Sequence, residues 1–415
     1  MAGDVGLDIR VEFGEERGSA MANSNFASSG ALSILPCRTN SERMRFERVA
    51  EVLHGNDPAF VPPFPGSIAK YLSEKSAFHK RHGEIHPFLA VRDGRAVGRI
   101  AAIINRSHNE YHKDRVGFFG FFECENDLRT AHALFQAAES VLRYAGMDSV
   151  RGPYNPSIND ECGLLLDNFD TPPCIGLTWN PAYYRGLIEG RGFVLVRTLY
   201  GLNLPMHRLE RPERLGRITK RLETRSKLRL RPMDLKRLPE ELGIVREVYN
   251  QTLERNWGFV PISMDDLLAA ADDIRAIADP RLLLIAEADG EMAGVALTLP
   301  NFNEILARTK RTPYFLRLPH IFWLMKTQRI RSCRQTVLGV VPAFRDRGIH
   351  AWLVYEQFAK AQQHHDDAIL GWIEESNTEV LEFVRIVGAE PRQKWGLFEK
   401  KIPAAPGPGE LALEF

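Results

Sequence analysis

The sequence predicts an α+β protein made of two tandem copies of one unit, each a mixed, mainly antiparallel sheet flanked by helices. Two blocks of the 415-residue chain, 31–205 and 228–402, repeat the same order of strands and helices. In both blocks an Asp-Gly turn with flanking charges, at 93–94 and 289–290, joins two apolar runs and indicates a β-hairpin. Both blocks also place an asparagine eleven or twelve residues before the glycine that ends a late helix. These shared features indicate a tandem duplication.

The spacing of apolar residues divides the first block into elements, with alternation for strands and three- to four-residue spacing for helices. A proline-rich loop at 57–65 separates an opening helix from the first hairpin. The predicted order is helix 42–54, strands 86–91, 96–104 and 116–123, helix 128–144, strand 149–152, helix 182–190 and strands within 193–204.

The same signals divide the second block and mark the segments outside the two blocks. Residues 1–30 are rich in Gly, Ser, Ala and Asn and are predicted to be disordered, 206–227 form a basic linker, and 403–415 form a flexible tail with several prolines. The predicted order in the second block is strand 228–232, helices within 240–277, strands 281–287, 292–299 and 335–341, helix 349–363, strand 368–373, helix 378–387 and strand 394–400.

The composition is that of a water-soluble globular protein, with 44% hydrophobic and 26% charged residues. A net charge of +1 gives no reason to expect nucleic acid as a partner. Five widely spaced cysteines without a Cys-x-x-Cys pair favour reduced thiols over disulfides or a zinc site. Neither a signal peptide nor an apolar stretch of ~18 residues is apparent. We therefore expect a cytoplasmic protein without a metal, whose contact with membranes is peripheral.

One basic turn follows a predicted strand and leads directly into a helix. This arrangement leaves unpaired backbone N–H groups at the helix N-terminus, beside two guanidinium groups. Such a site suits an anion, and a diphosphate most of all. The candidate binding residues are Val340, Val341, Arg345, Arg347, Gly348, Ile349 and His350.

The turn resembles the acyl-CoA loop of the GNAT acyltransferases, whose pattern is Arg/Gln-x-x-Gly-x-Gly/Ala after a strand. Arg345 and Gly348 match, whereas His350 stands where the family usually has Gly or Ala. The resemblance extends over 228–402 and implies a sheet that splays between its fourth and fifth strands. The pantetheine of acyl-CoA would lie in that gap, with residues 345–350 around the pyrophosphate. His350 would face either the substrate or the solvent.

The first block has the strands of this family but not its loop. The sequence that should form the loop, 124–128, carries Glu125 and Asp127, whose carboxylates would repel a diphosphate. We therefore expect the first block to be a degenerate GNAT-like domain that does not bind CoA. Its expected role is to shape the acceptor site.

The first block contains a long, proline-stiffened loop that begins at Gly152 and ends near the tyrosine pair at 183–184. Long loops inside compact domains are usually functional, and amides and hydroxyls can orient a polar head group. A structural alternative stays open, in which the Asn and Asp side chains satisfy the loop's own backbone. The candidate substrate-binding residues are Asn155, Asn159, Tyr183 and Tyr184, joined by Asn377 of the second block.

Four segments of the first block are similar to a narrower family, the tandem-GNAT proteins that include the bacterial ceramide synthases. They are Gly-Phe-Phe-Gly-Phe-Phe-Glu at 117–123, Gly-Pro-Tyr-Asn-Pro-Ser-Ile-Asn-Asp-Glu-Cys-Gly at 152–163, Phe-Asp-Thr-Pro-Pro at 169–173 and Asn-Pro-Ala-Tyr-Tyr at 180–184. The resemblance spans most of 36–402. It implies N-acylation of a sphingoid base, sphinganine or its 3-oxo form, by a long-chain acyl-CoA as co-substrate, with no permanently bound cofactor.

Forming an amide from a thioester requires a neutral amine and a donor to the oxyanion. Backbone N–H groups near Val340 and Val341 are the expected oxyanion donors, a contribution of about 3 kcal/mol. Glu374 and Glu375 directly follow the strand that ends at 373, and they are the first candidates for the general base. Glu161 or Glu123, across the interface between the blocks, are the rival candidates.

The reaction also needs an acid for the leaving thiolate. Many GNAT enzymes use a tyrosine four residues before the glycine that ends the last helix. Here Val384 and Ile188 occupy those positions, so that acid is absent from both blocks. His350 or one of Tyr183 and Tyr184 can replace it, and the sequence leaves the choice open.

Two segments suit contact with an anionic membrane surface. Residues 206–237 carry twelve Lys or Arg against four acids. Residues 306–326 mix aromatic and basic side chains where a simple GNAT protein has a short turn, and they can lie on a membrane or roof an acyl channel. A solvated basic helix and a core-packing insertion stay open as alternatives.

Two other functions are compatible with the sequence. A GNAT acetyltransferase acting on an amino acid, amino sugar or protein amine keeps the fold, but the large segment 306–326 argues against so small a donor. A non-catalytic acyl-CoA or lipid-binding protein would explain the absent tyrosine and the crowding by His350. Binding of CoA without transfer to any amine would favour the second alternative.

Overall fold

The structure is a computed structural model that describes residues 31–208, 228–254, 256–288, 290–345 and 347–403. The predicted disordered segment 1–30, residues 209–227 of the basic linker and residues 404–415 of the tail lie outside these ranges. The protein has two halves, the first half at 31–208 and the second half at 228–403.

The first half, 31–208, forms nine strands and six α-helices. Its second and third strands are the hairpin predicted from the Asp93-Gly94 turn, and both of these residues adopt positive φ values. The strands are β1 (Leu32–Pro36), β2 (Gly83–Arg92), β3 (Arg95–Asn105), β4 (Val116–Cys124), β5 (Ser149–Gly152), β6 (Tyr154–Asn155), β7 (Glu161–Cys162), β8 (Leu164–Leu165) and β9 (Val194–Pro205). The helices are α1 (Asn40–His54), α2 (Ser67–Tyr71), α3 (Ala77–Arg81), α4 (Arg106–His112), α5 (Leu128–Tyr144) and α6 (Tyr184–Glu189).

The second half repeats this order and adds a helical segment after its third strand. The strands are β10 (Arg229–Pro232), β11 (Leu283–Ala288), β12 (Glu291–Pro300), β13 (Ser332–Val340), β14 (Asp367–Glu374) and β15 (Glu390–Lys401). The helices are α7 (Leu238–Leu253), α8 (Met264–Ile277), α9 (Asn303–Arg308), α10 (Tyr314–Thr327), α11 (Ile349–Ala361) and α12 (Thr378–Ile386).

Local sequence signals account for where several helices begin. Thr39 and Glu42 form a reciprocal capping box at α1, and Ser263 and Asp266 form another at α8. Asp127 caps α5 by accepting a hydrogen bond from Arg129 N–H. Asp127 is one of the two carboxylates predicted to repel a diphosphate, and its observed role is to cap the start of α5.

All strands except the short β6–β7 pair belong to one mixed sheet of thirteen strands in the described part of the chain. The order across the sheet is β1-β2-β3-β4-β5-β15-β9-β14-β13-β12-β11-β10, and β8 pairs with β15 beside this path. Most neighbours are antiparallel, and the parallel pairs are β4–β5 and β13–β14. The predicted α+β class with mixed, mainly antiparallel pairing is confirmed.

The two halves exchange their last strands. Strand β15, from the end of the chain, pairs with β5 of the first half, whereas β9 of the first half pairs with β14 of the second. The exchanged strands also pair with each other. The sequence predicted two separate sheets, and the structure joins them into one.

The hydrophobic cores follow this exchange. Trp395 and Leu397 of β15 are buried in a cluster formed mainly by the first half. Leu202 and Leu204 of β9 are buried among side chains of the second half. Each half therefore completes its core with a strand from the other half.

Candidate functional site

Strands β13 and β14 run side by side for only part of their length. They pair in parallel from Ser332 to Gln335, opposite Asp367 to Leu370, and then diverge. A β-bulge at Thr336 shifts the register between β12 and β13 at the place where the divergence starts. The bulge turns β13 away from its neighbour and opens the gap that the family resemblance implied.

A cavity of about 1090 Å³ passes through this gap and is lined by both halves. This volume lies just above the range of ~300–1,000 Å³ that is usual for small-molecule sites. The walls include charged and polar side chains near the gap and apolar side chains from four helices of the second half. The polar lining includes Asn155, Asn159, Asp160, Glu161, Arg334, His350, Glu374 and Asn377, and the apolar lining includes Leu242, Val245, Ile274, Leu299, Phe302, Leu306, Ile321, Phe322 and Met325.

The end of β13 and the turn after it form one wall of the gap. The Val341 N–H donates a 3.0 Å hydrogen bond to the Ala293 carbonyl, so this amide is already paired within the sheet. Because donor directions alternate along an antiparallel ladder, the Val340 N–H points to the opposite side, toward the gap. Of the two valines predicted to offer backbone groups, Val340 is the one whose amide has no partner among the described residues.

The basic turn leads into α11 as predicted. Gly348 has φ of +81°, a left-handed conformation that favours glycine, and it is the N-terminal cap of the helix. Ile349 is buried and anchors the first turn, whereas His350 is exposed and lines the cavity. Arg347 is exposed, with its guanidinium carbon 4.9 Å from the Phe344 ring centroid. The helix N-terminus thus faces outward beside a cation.

The corresponding gap in the first half is closed. Strands β4 and β5 also pair for three residues and diverge, but the chain after β5 folds back against β4. A Cβ atom on Gly120 would lie 1.5 Å from the Tyr154 carbonyl oxygen, so β4 needs glycine at this contact. Phe121 N–H donates to the Asn155 side chain at 2.6 Å and holds the loop in the gap. The backbone occupies the place that a pantetheine would need.

Acidic residues after β4 are also committed to the fold. Arg92 forms ion pairs with Glu125 and with Asp127, the latter at 2.8 Å. The Thr130 hydroxyl lies 2.9 Å from a Glu125 oxygen and 3.0 Å from an Asp127 oxygen, so it can donate to either carboxylate. These contacts give the acidic segment a structural role in place of a phosphate loop.

Glu161 is the carboxylate that stands alone in the cavity. Its side chain is exposed to the interior of the cavity, which is itself surrounded by protein. No hydrogen-bond or ion-pair partner for Glu161 occurs among the described residues. Burial raises the pKa of Glu161 to about 7, against the lowering effect of the Arg334 guanidinium and with a further raising effect of Asp160. A carboxyl group with this pKa can both accept and release a proton near neutral pH.

Neighbouring Asp160 has partners of its own. It accepts hydrogen bonds from the Ser157 hydroxyl at 2.6 Å and the Tyr71 hydroxyl at 3.2 Å. Burial nevertheless raises the pKa of Asp160 to about 6. A proton and a negative charge can therefore be distributed over Asp160 and Glu161 at neutral pH.

The two carboxylates predicted first as the general base are held by the fold. Glu374 lines the cavity, but it accepts hydrogen bonds from the Ser376 N–H at 3.1 Å and from the Ser376 hydroxyl. Glu375 is exposed, does not line the cavity, and accepts from Thr198 N–H at 3.3 Å. The structure brings Glu374 but not Glu375 to the gap.

The predicted tyrosine pair is anchored to β4. The Tyr183 hydroxyl donates to the Cys124 carbonyl at 2.7 Å, and the Tyr184 hydroxyl donates to Glu123 at 2.7 Å while accepting from Cys124 N–H. Burial raises the pKa of both hydroxyls. These tyrosines fix the end of β4, and neither hydroxyl is free to bind a head group.

Glu123 belongs to a buried network with charged and aromatic partners. His54 Nε2 lies 3.3 Å from the carboxylate and an Arg99 nitrogen lies 3.4 Å from it. Burial alone would raise the pKa of Glu123, but the His54 hydrogen bond and the Arg99 charge outweigh it, so this pKa is lowered. Glu123 therefore stays ionised and paired, unlike Glu161.

The three predicted asparagines all line the cavity, with partners that differ. The Asn155 oxygen is taken by Phe121 N–H, and Asn377 caps α12 by accepting from Val380 N–H at 3.4 Å. Asn159 bridges the halves, accepting from the Tyr249 hydroxyl at 2.9 Å and donating to the Val260 carbonyl at 3.1 Å. The bonds of the two loop asparagines therefore go to β4 and to the second half, not to the loop's own backbone as the structural alternative had it.

Individual known proteins resemble the whole chain, although no family model matches the sequence. The bacterial ceramide synthase of Caulobacter vibrioides is 30% identical over 387 residues, which covers 91% of this chain and 100% of that protein. This chain belongs to the bacterial ceramide synthase family.

A second relative is protein YghO of Escherichia coli, which is 30% identical over 358 residues and is matched over 84% of this chain and 90% of its own length. A tandem GNAT protein from the clavulanic acid biosynthesis pathway shares the fold, with a TM-score of 0.55 and 10% identity over 90% of this chain and 99% of that one. A fungal GCN5-related glucosamine N-acetyltransferase region gives the same TM-score, with 14% identity over 92% of this chain and 40% of that one. The chain is an acyltransferase with a tandem GNAT fold, as the sequence predicted.

Arg334 lines the cavity but was not among the residues predicted from the sequence. It lies in β13 beside the start of the gap, donating to the Gly371 carbonyl at 2.9 Å and to the Ile175 carbonyl at 2.8 Å. The guanidinium thus ties β14 and the first-half loop to the place where the strands part, and it supplies positive charge to Glu161. An arginine that is the one charged residue of the segment that forms β13 was the available signal.

The apolar end of the cavity is formed by the segment that the sequence singled out at 306–326. This segment contains the end of α9 and most of α10. Ile321, Phe322 and Met325 of α10 contribute to the lining, together with side chains of α7 and α8. The described residues contain no group of three or more His, Cys, Asp or Glu that could hold a metal ion. Of the helices described, none has the length and hydropathy to cross a bilayer.

Proposed function

We propose that this protein transfers a long-chain fatty acyl group from acyl-CoA to the amino group of a sphingoid base, sphinganine or 3-oxosphinganine. The observation that carries the proposal is one cavity that reaches the N-terminal turn of α11 at His350 and also contains a lone carboxylate and a long apolar compartment. These three features suit, in order, a diphosphate, an ammonium group and hydrocarbon chains. The name of the Caulobacter relative supports the same chemistry.

The acyl-CoA binds in the second half. Its pyrophosphate lies against the first amides of α11, with Arg345 and Arg347 on either side of the turn and Gly348 allowing close approach of the backbone. The pantetheine enters the gap between β13 and β14, where the Val340 N–H is available. The closed gap of the first half supports a single acyl-CoA site, and the first half serves as the acceptor side.

The apolar compartment supports a long-chain donor over acetyl-CoA. Side chains from α7, α8, α9 and α10 line it, far more apolar surface than an acetyl group can cover. If this apolar surface stayed in contact with water, the cost would be about 25 cal/mol for every Å² that an acyl chain could have covered. An amino acid, amino sugar or protein amine would leave the same compartment empty.

Glu161 acts as the general base. It takes one proton from the sphingoid ammonium, directly or through water, and leaves a neutral amine. The amine nitrogen then forms a bond to the thioester carbonyl carbon, and the carbon–sulfur bond breaks as the amide forms. The oxyanion that develops on the carbonyl oxygen accepts from the Val340 N–H, a contribution of about 3 kcal/mol.

The second amine proton goes to the departing CoA thiolate. The hydroxyls of Tyr183 and Tyr184 are both bound within the fold. The candidate acid that relays this proton is His350. His350 lies in the first turn of α11 and lines the cavity. We further propose that the enzyme works in the cytoplasm, at the inner face of the cytoplasmic membrane.

The test is lipid mass spectrometry on the purified protein incubated with acyl-CoAs of increasing chain length and either sphinganine or 3-oxosphinganine. The expected products are ceramide or its 3-oxo form, with little product from acetyl-CoA. A parallel set of amino acids, an amino sugar and a lysine peptide tests the other acceptors. Transfer of acetyl groups to one of these acceptors, without acylation of either base, would contradict the proposal.

A further inference from the structure

Helix α10 presents an apolar face to the outside of the molecule. Phe315, Phe322 and Trp323 are 79%, 59% and 57% exposed, and they are joined on the same helix by other apolar side chains. A continuous exposed apolar face on one helix needs a partner, because soluble proteins rarely leave such patches open. The further exposed members are Leu316, Leu318 and Met325.

The opposite side of α10 is fixed to the first half, so the helix cannot turn this face inward. Arg317 is 1% exposed and forms a bidentate ion pair with Glu51 of α1. The Tyr314 hydroxyl donates to Glu47 of the same helix at 3.1 Å. Ile321 and Leu324 are buried on this inner side. The apolar face is therefore a permanent outer surface.

This outer surface is continuous with the cavity. Phe322 and Met325 are exposed and also line the cavity, so they form part of its rim. Phe64, on the proline-rich loop of the first half, lies on the same rim and packs against Phe302 with ring centroids 6.5 Å apart. The exposed apolar face of α10 therefore shares side chains with the apolar lining of the cavity.

The positive charges around α10 indicate which partner can cover this face. Residues 306–331 contain seven Lys or Arg and no Asp or Glu, and Arg308, Arg311 and Lys326 are exposed around α10. A second copy of this chain would place the same cations opposite each other, which disfavours a dimer through this face. A bilayer with anionic head groups offers both the apolar layer and the countercharge.

We propose that the outer face of α10 lies in the head-group region of an anionic bilayer and that the cavity opens there, so that the lipid acceptor enters from the membrane. The aromatic side chains reach the acyl boundary while Arg308, Arg311 and Lys326 contact lipid phosphates. The docking surface itself follows from the structure alone, and only the identity of the entering lipid rests on the proposed function.

Trp323 provides a direct probe of this contact. All six tryptophans lie among the described residues, and Trp323 is the one that is exposed. The intact protein is mixed with vesicles of phosphatidylcholine, with or without phosphatidylglycerol, and without substrates. We expect a blue shift of the emission with anionic vesicles and quenching by lipids brominated near the head group. Trp323→Phe should lose both signals.

Phe315→Glu tests the surface without touching the cavity, because Phe315 does not line it. The variant should lower the vesicle partition coefficient by about tenfold or more, since burial of the ring is replaced by a charge. Turnover of a short-chain acceptor dispersed in detergent should stay near that of the parent. The matched control is Tyr144→Glu on α5, where the ring is 78% exposed, and its partitioning should be unchanged.

Three outcomes would overturn the docking proposal: no blue shift with any vesicle, equal partitioning of Phe315→Glu and the parent, or self-association in lipid-free buffer that Phe315→Glu abolishes. The vesicle assays contain neither acyl-CoA nor amine, so they are independent of the reaction. Vesicle binding by a protein that acylates neither base would support the surface and count against the proposed function alone.

Discussion

At the scale of single residues, what separates Glu161 from the other carboxylates of the site is the absence of donors among the described residues. Glu123 accepts hydrogen bonds from His54 and Tyr184, and Glu374 accepts one from the Ser376 hydroxyl. Burial without such donors favours the neutral acid, and this brings the pKa of Glu161 to about 7. A general base is most effective when its pKa lies near the working pH. Glu161 fits that requirement best.

The first prediction is that Glu161→Gln lowers kcat by about 10²–10⁴-fold with little effect on acyl-CoA binding, because the amide keeps the shape but cannot take a proton. Rates of the parent should rise with pH through an apparent pKa of about 7, as the carboxyl group becomes ionised. The Gln variant should lack this step. Initial rates at saturating acyl-CoA across the neutral pH range, from mildly acidic to mildly alkaline, measure both effects.

Glu375→Gln is the matched control, since it changes the same functional group on an exposed carboxylate outside the cavity. Its turnover should stay close to that of the parent. If Glu375→Gln were the inactive variant and Glu161→Gln the active one, the base would be Glu375, as the order along the sequence first suggested.

The sequence could name these carboxylates but could not rank them. Glu374 and Glu375 attract attention because they directly follow a strand that borders the gap. Which side chain enters the cavity depends on the pairing of β14 with β9, a strand from the other half. Glu161 lies in a loop whose path is set by long-range contacts, such as Asn159 with Tyr249. No local pattern encodes those contacts.

At the scale of elements, the turn into α11 concentrates the groups that suit a diphosphate. The helix has thirteen residues, His350 in its first turn lines the cavity, and its cap is a glycine in the left-handed region. The exposed Arg347 adds charge without strong constraint from the fold, since it rests on the Phe344 ring at the surface. Loss of this charge should therefore affect binding of the donor more than folding.

The second prediction is that Arg347→Gln raises the KM for acyl-CoA by about tenfold and leaves kcat at saturation nearly unchanged, because one charged hydrogen bond to phosphate is lost. The KM of the variant should also respond less to added salt than that of the parent. Arg185→Gln, on an exposed surface of α6, is the control and should leave KM unaltered. A fall in kcat without a change in KM would place Arg347 outside the donor site.

Elements whose ends are marked by capping or turn residues could be predicted from the sequence, and elements without such residues could not. Helix 128–144 and strand 149–152 were predicted with the bounds that α5 and β5 have, because Asp127 and Gly146 mark the ends of the helix. Helix α10 was seen only as an unusual segment. It carries an internal proline, Pro319, and apolar residues all around, so no single helical face stands out.

At the scale of the whole molecule, the exchange of β9 and β15 makes the two halves depend on each other. Strand β15 lies between β5 and β9, so its two edges contact first-half strands only. Neither half has a complete sheet or core without the other. The cavity also needs both halves, since Glu161 comes from the first half and His350, in the first turn of α11, comes from the second.

This exchange could not be predicted from the sequence. Both terminal strands have suitable β patterns, and the sequence placed them near 193–204 and 394–400. Either pairing, within a half or across halves, satisfies the same backbone hydrogen bonds. The choice depends on how Trp395 and Leu202 pack in distant clusters, which spacing along the chain does not report.

The last prediction is that Leu397→Ala, a change near the end of the chain, destabilises the first half as much as the second. Leu397 is fully buried in the first-half cluster, and removal of such a side chain usually costs about 2–5 kcal/mol. Hydrogen exchange should show equal losses of protection in α5 and α11, and urea unfolding should stay a single transition. Leu284→Ala, in the second-half cluster, should also give equal losses of protection in α5 and α11. Two separate unfolding transitions, or unchanged protection of α5 in Leu397→Ala, would mean that the shared sheet does not couple the halves.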